Sequence, residues 1–317
     1  MRRLRDWLVF LPLLVPTLFA APALADTVKL VVPFAAGGPV DQLARILAPE
    51  LGAKLGADVI VDDRGGAGGA IAYEFVAHAA PDGKTILLGS LGATVIGPAL
   101  KPPTAYDPIN SFAPVMLVGA VPSLLVVNRD LGVAGMKELI AKARLEKLTY
   151  GSAGPGTTMH IALEMLNAAA KIKITHVPYR GAAPAISDLL GGHVDMLNAD
   201  LPVLLPLVRA GSVKALALFA AERSPLLPDL PTTKEAGLPN VVMENWYGVF
   251  LPAGTPAPVR DRIEQALFAV AALPAIKERF AENGMHGMLD HEGFAQRLVK
   301  EFNAWPDTIR RLGITAD

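Results

Sequence analysis

Short runs of apolar residues alternate along the chain with longer stretches in which apolar residues recur every three or four positions. The short runs are typical of buried strands, and the three-to-four spacing is typical of amphipathic helices. In the first part of the chain this pattern predicts strands at 28–34, 59–62 and 85–88 and helices at 40–55 and 70–79. Strands that alternate with helices indicate an α/β fold.

The middle of the chain interrupts this pattern and then resumes it. Residues 112–128 form one long apolar run with two strand-like halves, 115–118 and 124–127. The second alternating set comprises predicted helices at 136–145, 158–169, 182–190 and 202–210 and strands at 148–151, 174–177, 194–197 and 213–219. We therefore expect two α/β halves with a cleft between them, since ligands bind at strand ends and domain interfaces in such folds.

The last part of the chain begins with a connecting segment. Residues 224–239 carry four prolines and no periodicity, which predicts a loop. The pattern beyond it predicts a strand at 246–250 and helices at 258–270, 275–283 and 292–304.

Composition and charge exclude several classes of protein. The 317 residues include no cysteine, which excludes a disulfide scaffold, a thiolate nucleophile and a cysteine-ligated metal centre. The formal net charge is −1, without the basic excess that binding to a nucleic-acid backbone requires. We therefore expect no nucleic-acid partner.

The first 25 residues have the pattern of a secretory signal peptide. Arg2, Arg3 and Arg5 precede an apolar run at 7–20, and the segment ends in the small-residue pattern of a cleavage site at 23–25. A transmembrane anchor is the alternative, but three prolines interrupt the segment before it can provide about 20 continuous apolar residues. Cleavage after residue 25 would change the net charge to −3 and leave an exported protein with no lipid anchor.

Catalytic and cofactor motifs are missing from the sequence. The nucleophile elbow of hydrolases requires a glycine two positions before the serine, and neither Ser90 nor Ser152 has one. Gly66 and Gly68 begin a dinucleotide fingerprint, but its third glycine position is Ile71. The sequence also has no zinc-protease motif, phosphate loop or EF-hand, so we expect no cofactor and no metal.

His160 and Glu164 lie four positions apart on a predicted helix, which could place both on one face as an acid–base pair or as ligands. A local hydrogen bond of His160 at the helix start is the favoured alternative, because no second motif supports a catalytic or metal site.

Three glycine-rich segments follow predicted strands, at 32–41, 88–94 and 150–160. Glycine lets the backbone approach a ligand closely, and the free N–H groups at a helix start favour an anion. These segments lie in both halves and are rich in hydroxyl groups, so they predict a site that binds an anion without reacting with it. Arg180, residues 65–69 and Trp246 are weaker candidates, expected to be a surface charge, a tight turn and a core side chain respectively.

The chain resembles the substrate-binding receptors of the tripartite tricarboxylate transporters, often called the Bug family. The resemblance runs in order from about residue 28 to residue 260. It is carried by VVPFAAGGP (31–39), APDGKT (80–85), YDP (106–108), FAPV (112–115), SAGPGT (152–157), HVPYRG (176–181), DLLGG (188–192), RSP (223–225) with LPT (230–232), EAGLP (235–239) and LPAGTP (251–256).

This resemblance implies a two-lobed, type II periplasmic-binding-protein (Venus flytrap) fold with a ligand cleft between the lobes. Domain I would comprise residues 26–122 and 222–317, and domain II residues 123–221. A ligand carboxylate would be held by backbone N–H groups, hydroxyls and water. The implied contacts are Phe34, Ala36, Gly38 and Ser90 in the first lobe and Ser152, Gly156, Thr157 and Thr158 in the second.

One departure from the family pattern concerns the segment after the strand predicted at 194–197. The family often has Phe-Asp there, whereas this chain has Asn198, Ala199 and Asp200. A shift of one place reverses the face of a strand to which a side chain points. Contact of Asn198 or Asp200 with a ligand ammonium or hydroxyl is therefore kept as a hypothesis.

The sequence as a whole is interpreted as a monomeric periplasmic receptor that captures a small carboxylate and delivers it to its membrane transporter subunits. Di- and tricarboxylates, amino acids and aromatic acids all remain open as ligands. One alternative is a receptor that docks on a signalling partner. Another is an exported hydrolase that uses Ser90 or Ser152 with His160.

Overall fold

Nine strands form one mixed β-sheet in the computed structural model, which describes residues 27–100 and 102–314. The signal peptide predicted at 1–25 lies outside the described residues. The strands are β1 (Thr27–Val32), β2 (Asp58–Asp63), β3 (Thr85–Ser90), β4 (Phe112–Asn128), β5 (Thr149–Ser152), β6 (Thr175–Pro178), β7 (Met196–Asp200), β8 (Val213–Leu218) and β9 (Glu244–Pro252).

Helices connect most of these strands and cover the sheet. They are α1 (Pro39–Leu55), α2 (Ala70–Ala77), α3 (Gly97–Leu100), α4 (Met136–Leu145), α5 (Thr158–Ala170), α6 (Ala182–Leu190), α7 (Leu201–Arg209), α8 (Ala257–Ala271), α9 (Pro274–Glu282) and α10 (His291–Leu312). Short 3₁₀ turns occur at Ala67–Gly69 and Arg129–Leu131, and a π-helical turn at Gly92–Ile96.

The strand order divides the sheet into two halves. The order is β2-β1-β3-β9-β4-β7-β5-β6, and β8 pairs with β4 beside that path. Strands β1, β2 and β3 are parallel in one half, and β5, β6 and β7 are parallel in the other. In both halves the helices follow the carboxyl ends of parallel strands, so the helix starts gather at one edge of each half.

Strand β4 belongs to both halves. Its first part, from Phe112 to Pro122, pairs antiparallel with β9. Its second part begins at Ser123 and pairs antiparallel with β7 and, from Leu124, with β8. The long apolar run therefore forms one continuous strand whose neighbours change near its middle.

A ring of backbone hydrogen bonds marks the point where the neighbours change. Ser123 N donates to Met243 O over 3.2 Å, Met243 N donates to Phe219 O over 2.8 Å, and Phe219 N donates to Ser123 O over 2.9 Å. The Ser123 hydroxyl adds a bond to Met243 O. Strand β4 is thus joined directly to both ends of the segment that links β8 to β9, and we call these bonds the hinge ring.

Apolar burial explains why these segments form the core. Ile86, Leu87 and Leu88 on β3 are fully buried, as expected for a parallel strand covered on both faces. Helix α1 buries Leu43, Leu47 and Leu51 at four-residue spacing, which places them on one face against the sheet. Within the described ranges, no helix combines the length and apolar character needed to cross a membrane.

The predicted elements match the observed ones with small changes at their ends. The clearest difference is α10, which continues through Pro306 to Leu312 instead of ending at residue 304. A proline removes one helical hydrogen bond, but burial of Ile309 beyond it keeps the last turns against the core. The π-helical turn and α3 follow β3 directly and have no counterpart in the sequence prediction.

Candidate ligand-binding site

Four helices begin around a small cavity between the two halves. The cavity is lined by Pro39 of α1, Thr158 of α5, Ala182 of α6 and Asp200, which precedes α7. The remaining lining residues are Phe34, Val40, Ser90, Ala153, Thr157, Met159 and Asn245. Because the first N–H groups of a helix lack intrahelical partners, this arrangement concentrates hydrogen-bond donors and positive dipole ends around one space.

Local sequence fixes the start of α1. Gly38 is the N-cap, Pro39 is the first helical residue, and Asp41 in the first turn accepts a 2.7 Å hydrogen bond from Gly37 N. Arg45 pairs with the other oxygen of the same carboxylate at 2.7 Å. Asp41 is therefore occupied in holding the loop, and the glycine-rich turn leaves the helix start facing the cavity.

The start of α5 is fixed by its own cap. The Thr157 hydroxyl accepts from His160 N and donates to Gly154 O over 2.7 Å. Thr158 follows as the first helical residue, and its hydroxyl makes no hydrogen bond to any described group. Thr157 thus caps the helix, whereas the hydroxyl of Thr158 stays available to a ligand.

Each half contributes one hydroxyl group that makes no hydrogen bond within the described residues. Ser90 ends β3 in the first half and Thr158 begins α5 in the second, with relative exposures of 3% and 6%. Within the described residues neither hydroxyl oxygen has a hydrogen-bond partner, while both residues line the cavity. A hydroxyl can donate one hydrogen bond and accept others, so both can serve a carboxylate or water.

Asp200 is the carboxylate of the cavity wall. One of its oxygens, Oδ2, accepts a 2.8 Å hydrogen bond from Asn245 Nδ2 and another from the Tyr247 hydroxyl. Burial raises the pKa of Asp200 to about 6, although the two hydrogen bonds act in the opposite direction. Despite the one-place shift in the sequence, Asp200 lines the cavity as the last residue of β7.

The two halves touch along a seam of glycines beside the cavity. A Cβ atom on Gly92 would lie 2.8 Å from Thr158 N, and one on Gly156 would lie 2.6 Å from Gly97 Cα. A Cβ atom on Gly68 would overlap Pro155 O. We call these contacts the glycine seam; they show the halves closed on each other.

The closed cavity is small. The volume open to the centre of a water molecule is about 30 Å³, whereas a single water needs roughly 10–15 Å³ by the same measure. A ligand larger than two or three waters can therefore enter only when the halves separate or the walls move.

The structure brings five of the predicted contact residues to the cavity: Phe34, Ser90, Thr157, Thr158 and Asp200. The other four lie beside it without lining it. Ala36 is exposed, Gly38 caps α1, Gly156 lies on the glycine seam, and Ser152 is fully buried. Asn198 is also fully buried, and neither atom of its side-chain amide has a hydrogen-bond partner among the described residues.

Asn245 is a wall residue that the sequence analysis missed. It lies on β9, one residue before the strand predicted at 246–250, and it is 4% exposed. Its side chain bonds Asp200, which belongs to the other half of the sheet. Strand periodicity cannot reveal such a contact, because the two residues are 45 positions apart.

Ser152 pairs with a different histidine from the one expected for a hydrolase. Its hydroxyl oxygen lies 2.6 Å from His176 Nε2 and accepts from Gly154 N. His176 has no carboxylate partner in the described part of the chain, and Ser152 has no exposed surface. This pair lacks both the orienting acid and the access that an activated serine requires.

His160 and Glu164 do not act together. Glu164 accepts a 2.6 Å hydrogen bond from the Tyr150 hydroxyl, while His160 stacks on His176 with ring centres 4.3 Å apart. His160 Nδ1 lies 3.3 Å from Gly156 N. A local role for His160 agrees with this arrangement, and a search of the described residues finds no cluster of metal-ligating side chains.

The weaker candidates Trp246 and Arg180 lie outside the cavity. Trp246 is fully buried, stacks edge-on against Phe294 and donates from its indole nitrogen to Glu301. Arg180 is exposed, and its backbone carbonyl lies near Gly65 across the cleft. Neither side chain lines the cavity.

Comparison with known protein families gives a match over most of the chain. A profile of the tripartite tricarboxylate transporter family receptors matches residues 43–314. A protein from the tcbD–tcbE intergenic region of Pseudomonas sp. strain P51 is 40% identical over 258 residues, covering 80% of this chain and 76% of that protein. Protein BugT of Bordetella pertussis is 34% identical over 306 residues, covering 93% of each chain.

Solved structures resemble the whole fold. The periplasmic binding protein BugD superposes with a TM-score of 0.87 at 35% identity, covering 92% of this chain and 98% of that one. Rpa4515 of R. palustris with adipate gives 0.88 at 33% identity, with the same coverage. MatC of Rhodopseudomonas palustris with bound malate gives 0.84 at 34% identity, covering 91% of this chain and all of that one.

Proposed function

Since the chain belongs to the receptor family of the tripartite tricarboxylate transporters, we propose that it binds a small carboxylate in the cavity between its two halves. The family consists of substrate-binding receptors of the Bug type rather than enzymes. The occluded Ser152 agrees with a binding role and gives the hydrolase alternative no support.

The convergence of four helix starts on one cavity carries this proposal. The helices α1, α5, α6 and α7 point their N-terminal ends at the same space, and among the described residues no lysine or arginine lines it. Helix N-termini favour negative charge, and their free N–H groups can donate directly to carboxylate oxygens. The hydroxyls of Ser90 and Thr158 add one donor from each half.

The structural neighbours support this ligand class. The structures of Rpa4515 and MatC contain adipate and malate, which are dicarboxylates. We propose that the contacts in this chain include Phe34, Ser90, Thr157, Thr158 and Asp200 at the cavity. Ala36, Gly38, Ser152 and Gly156 then act by shaping the loops around it.

We further propose that the protein works by opening and closing about the hinge ring. Domain I would comprise residues 26–122 and 222–317, and domain II residues 123–221. The change of strand neighbours between Pro122 and Ser123 supports this division. Donors from both halves would then surround the ligand only in the closed form.

Delivery to a membrane transporter and export through a cleaved signal peptide complete the proposal. Both rest on the family and on the sequence at 1–25. Loss of uptake of the bound acid in cells that lack this receptor, with restoration by the intact gene, would test delivery. Undiminished uptake would instead favour a sensing role.

A panel of carboxylates tests the binding function directly. An acid at 100 times its dissociation constant should stabilise the mature protein by about 2.7 kcal/mol, measured as a rise in melting temperature. The matching diamides, which lack the negative charge, should have little effect. If no carboxylate raises the melting temperature, the proposed function is wrong.

Two variants test whether the acid binds in the cavity or elsewhere on the protein. Ser90→Ala should weaken binding of the best acid by about five- to tenfold, because it removes one hydrogen bond worth roughly 1 kcal/mol. Ser187→Ala is the matched control, since its hydroxyl bonds Ala183 O on the exposed side of α6. Equal affinities of the two variants would place the ligand elsewhere.

A further inference from the structure

Two hydrogen-bond acceptors at the cavity wall have no donor within the described residues. Asp200 Oδ2 is occupied by Asn245 Nδ2 and the Tyr247 hydroxyl, but Asp200 Oδ1 receives no hydrogen bond. Asn245 Oδ1 is buried and also has no partner. Both residues line the cavity.

The orientation of the Asn245 amide follows from its neighbour. An ionised carboxylate accepts hydrogen bonds and donates none, so Asn245 must present its nitrogen to Asp200. Its oxygen is thereby left as an acceptor. A buried polar atom without a partner costs free energy, and a ligand that supplied the missing donors would remove that cost.

The number of missing donors distinguishes between ligand groups. A hydroxyl has one proton and can serve only one of the two acceptors, whereas an ammonium group has three N–H bonds and can serve both. Cavity water can also donate twice, but it carries no charge to offset that of Asp200.

The balance of charge in the cavity also favours an ammonium group. Of the residues that the structure describes, one acid, Asp200, and no basic side chain line the cavity. A carboxylate ligand placed beside an ionised Asp200 would bring two like charges together in a poorly solvated space. A cationic group on the ligand, next to Asp200, would offset that repulsion.

We propose that the ligand is an amino acid, whose ammonium group binds Asp200 Oδ1 and Asn245 Oδ1 while its carboxylate lies at the helix starts. This inference rests on the proposed function, since it requires the carboxylate site. It adds a second subsite, formed by one residue from each half, that selects for the ammonium group.

Matched pairs of acids test the ammonium subsite by calorimetric titration of the mature protein. The pairs are aspartate with succinate and glutamate with glutarate, and malate replaces the ammonium of aspartate by a hydroxyl. The amino member should bind at least about tenfold tighter than its partner, as expected when a charge-assisted hydrogen bond is removed. Asp200→Asn should reduce that ratio to near one, because it removes the charge and keeps the shape.

Asp195→Asn is the control, since Asp195 lies outside the cavity and bonds Thr149. It should leave the ratio unchanged. Should Asp200→Asn fail to fold, the wild-type pairs still decide the question.

The results distinguish failure of the ammonium subsite from failure of the proposed function. Equal or tighter binding of succinate or glutarate, or tighter binding of malate than aspartate, overturns the inference while the carboxylate function stands. A preference for the amino acid that survives in Asp200→Asn overturns the role of Asp200. Absence of binding by every acid overturns the proposed function itself.

Discussion

Burial keeps the two stacked histidines of the second half neutral. Loss of solvation lowers the pKa of His160 to about 3, with a smaller effect from His176 beside it, and lowers the pKa of His176 to about 4. Their rings lie 4.3 Å apart, and the His176 ring stacks on Tyr150 at 4.9 Å. The neutral pair supports the start of α5 by stacking and by its hydrogen bonds with Ser152 and Gly156 N.

These histidines should make the protein less stable in mild acid. A histidine with a lowered pKa stabilises the fold above its unfolded pKa of about 6.5, and that contribution is lost as the pH falls toward the folded value. Asp200 acts in the opposite direction, since its raised pKa favours the fold at low pH. We expect the urea midpoint to fall between pH 6.5 and 4, and to fall less steeply in His160→Gln.

His78→Gln provides the comparison, because His78 is exposed. It should leave the slope of the midpoint against pH unchanged. Equal slopes in wild type and His160→Gln would contradict the assignment of the acid sensitivity to the stacked pair.

The local pattern located two glycine-rich segments, 88–94 and 150–160, that the structure brings to the cavity. They contain Ser90 and Thr158, which the family resemblance singled out and which line the cavity. The roles of Ser152 and Asn245 depend on partners 24 and 45 positions away. Only the folded arrangement brings such partners together, so local periodicity carries no sign of them.

Among the structural elements, the glycine-rich turns form close contacts between the two halves. Gly92 begins the π-helical turn after β3 and meets the start of α5 with no side chain between the backbones. The sequence predicted that these turns let the backbone approach a ligand. The structure shows the same property used between the two halves.

A methyl group at Gly92 should hold the halves apart. Its Cβ would lie 2.8 Å from Thr158 N and 2.9 Å from Thr157 Cα, both of them backbone atoms. Overpacking of this kind costs about 1–3 kcal/mol. Since that cost falls on the closed form, Gly92→Ala should weaken ligand binding by roughly five- to 150-fold.

The control for this variant is Gly135→Ala, since a Cβ atom there meets nothing within 4 Å. Its ligand affinity should equal that of wild type. Wild-type affinity in Gly92→Ala would mean that the seam does not need to close for binding.

Across the whole molecule, the hinge ring and the glycine seam both join the two halves. The hinge ring ties Ser123, Phe219 and Met243 by backbone hydrogen bonds. In the motion that we propose, these bonds would stay intact while the seam opens. The alternating pattern predicted the two halves. It did not predict that one strand, β4, would run through both, because the run at 112–128 gives no sign of where its neighbours change.

Solution scattering can follow this motion. The radius of gyration of the ligand-free protein should decrease when a bound acid is added at saturation, because the halves close around it. At the lowest acid concentration that saturates the wild-type protein, the decrease should be smaller in Gly92→Ala, because its affinity is lower, and unaltered in Gly135→Ala. An unchanged radius in the wild-type protein would show that binding does not require closure.

The glycine seam also makes the protein suitable as an optical reporter of its ligand. The sequence has no cysteine, so a single cysteine introduced at exposed Arg180, whose carbonyl faces Gly65 across the seam, would be the only thiol available to a dye. Opening would move that dye from the edge of the seam into water. Each arrival and departure of a ligand molecule would then be read as a change in fluorescence.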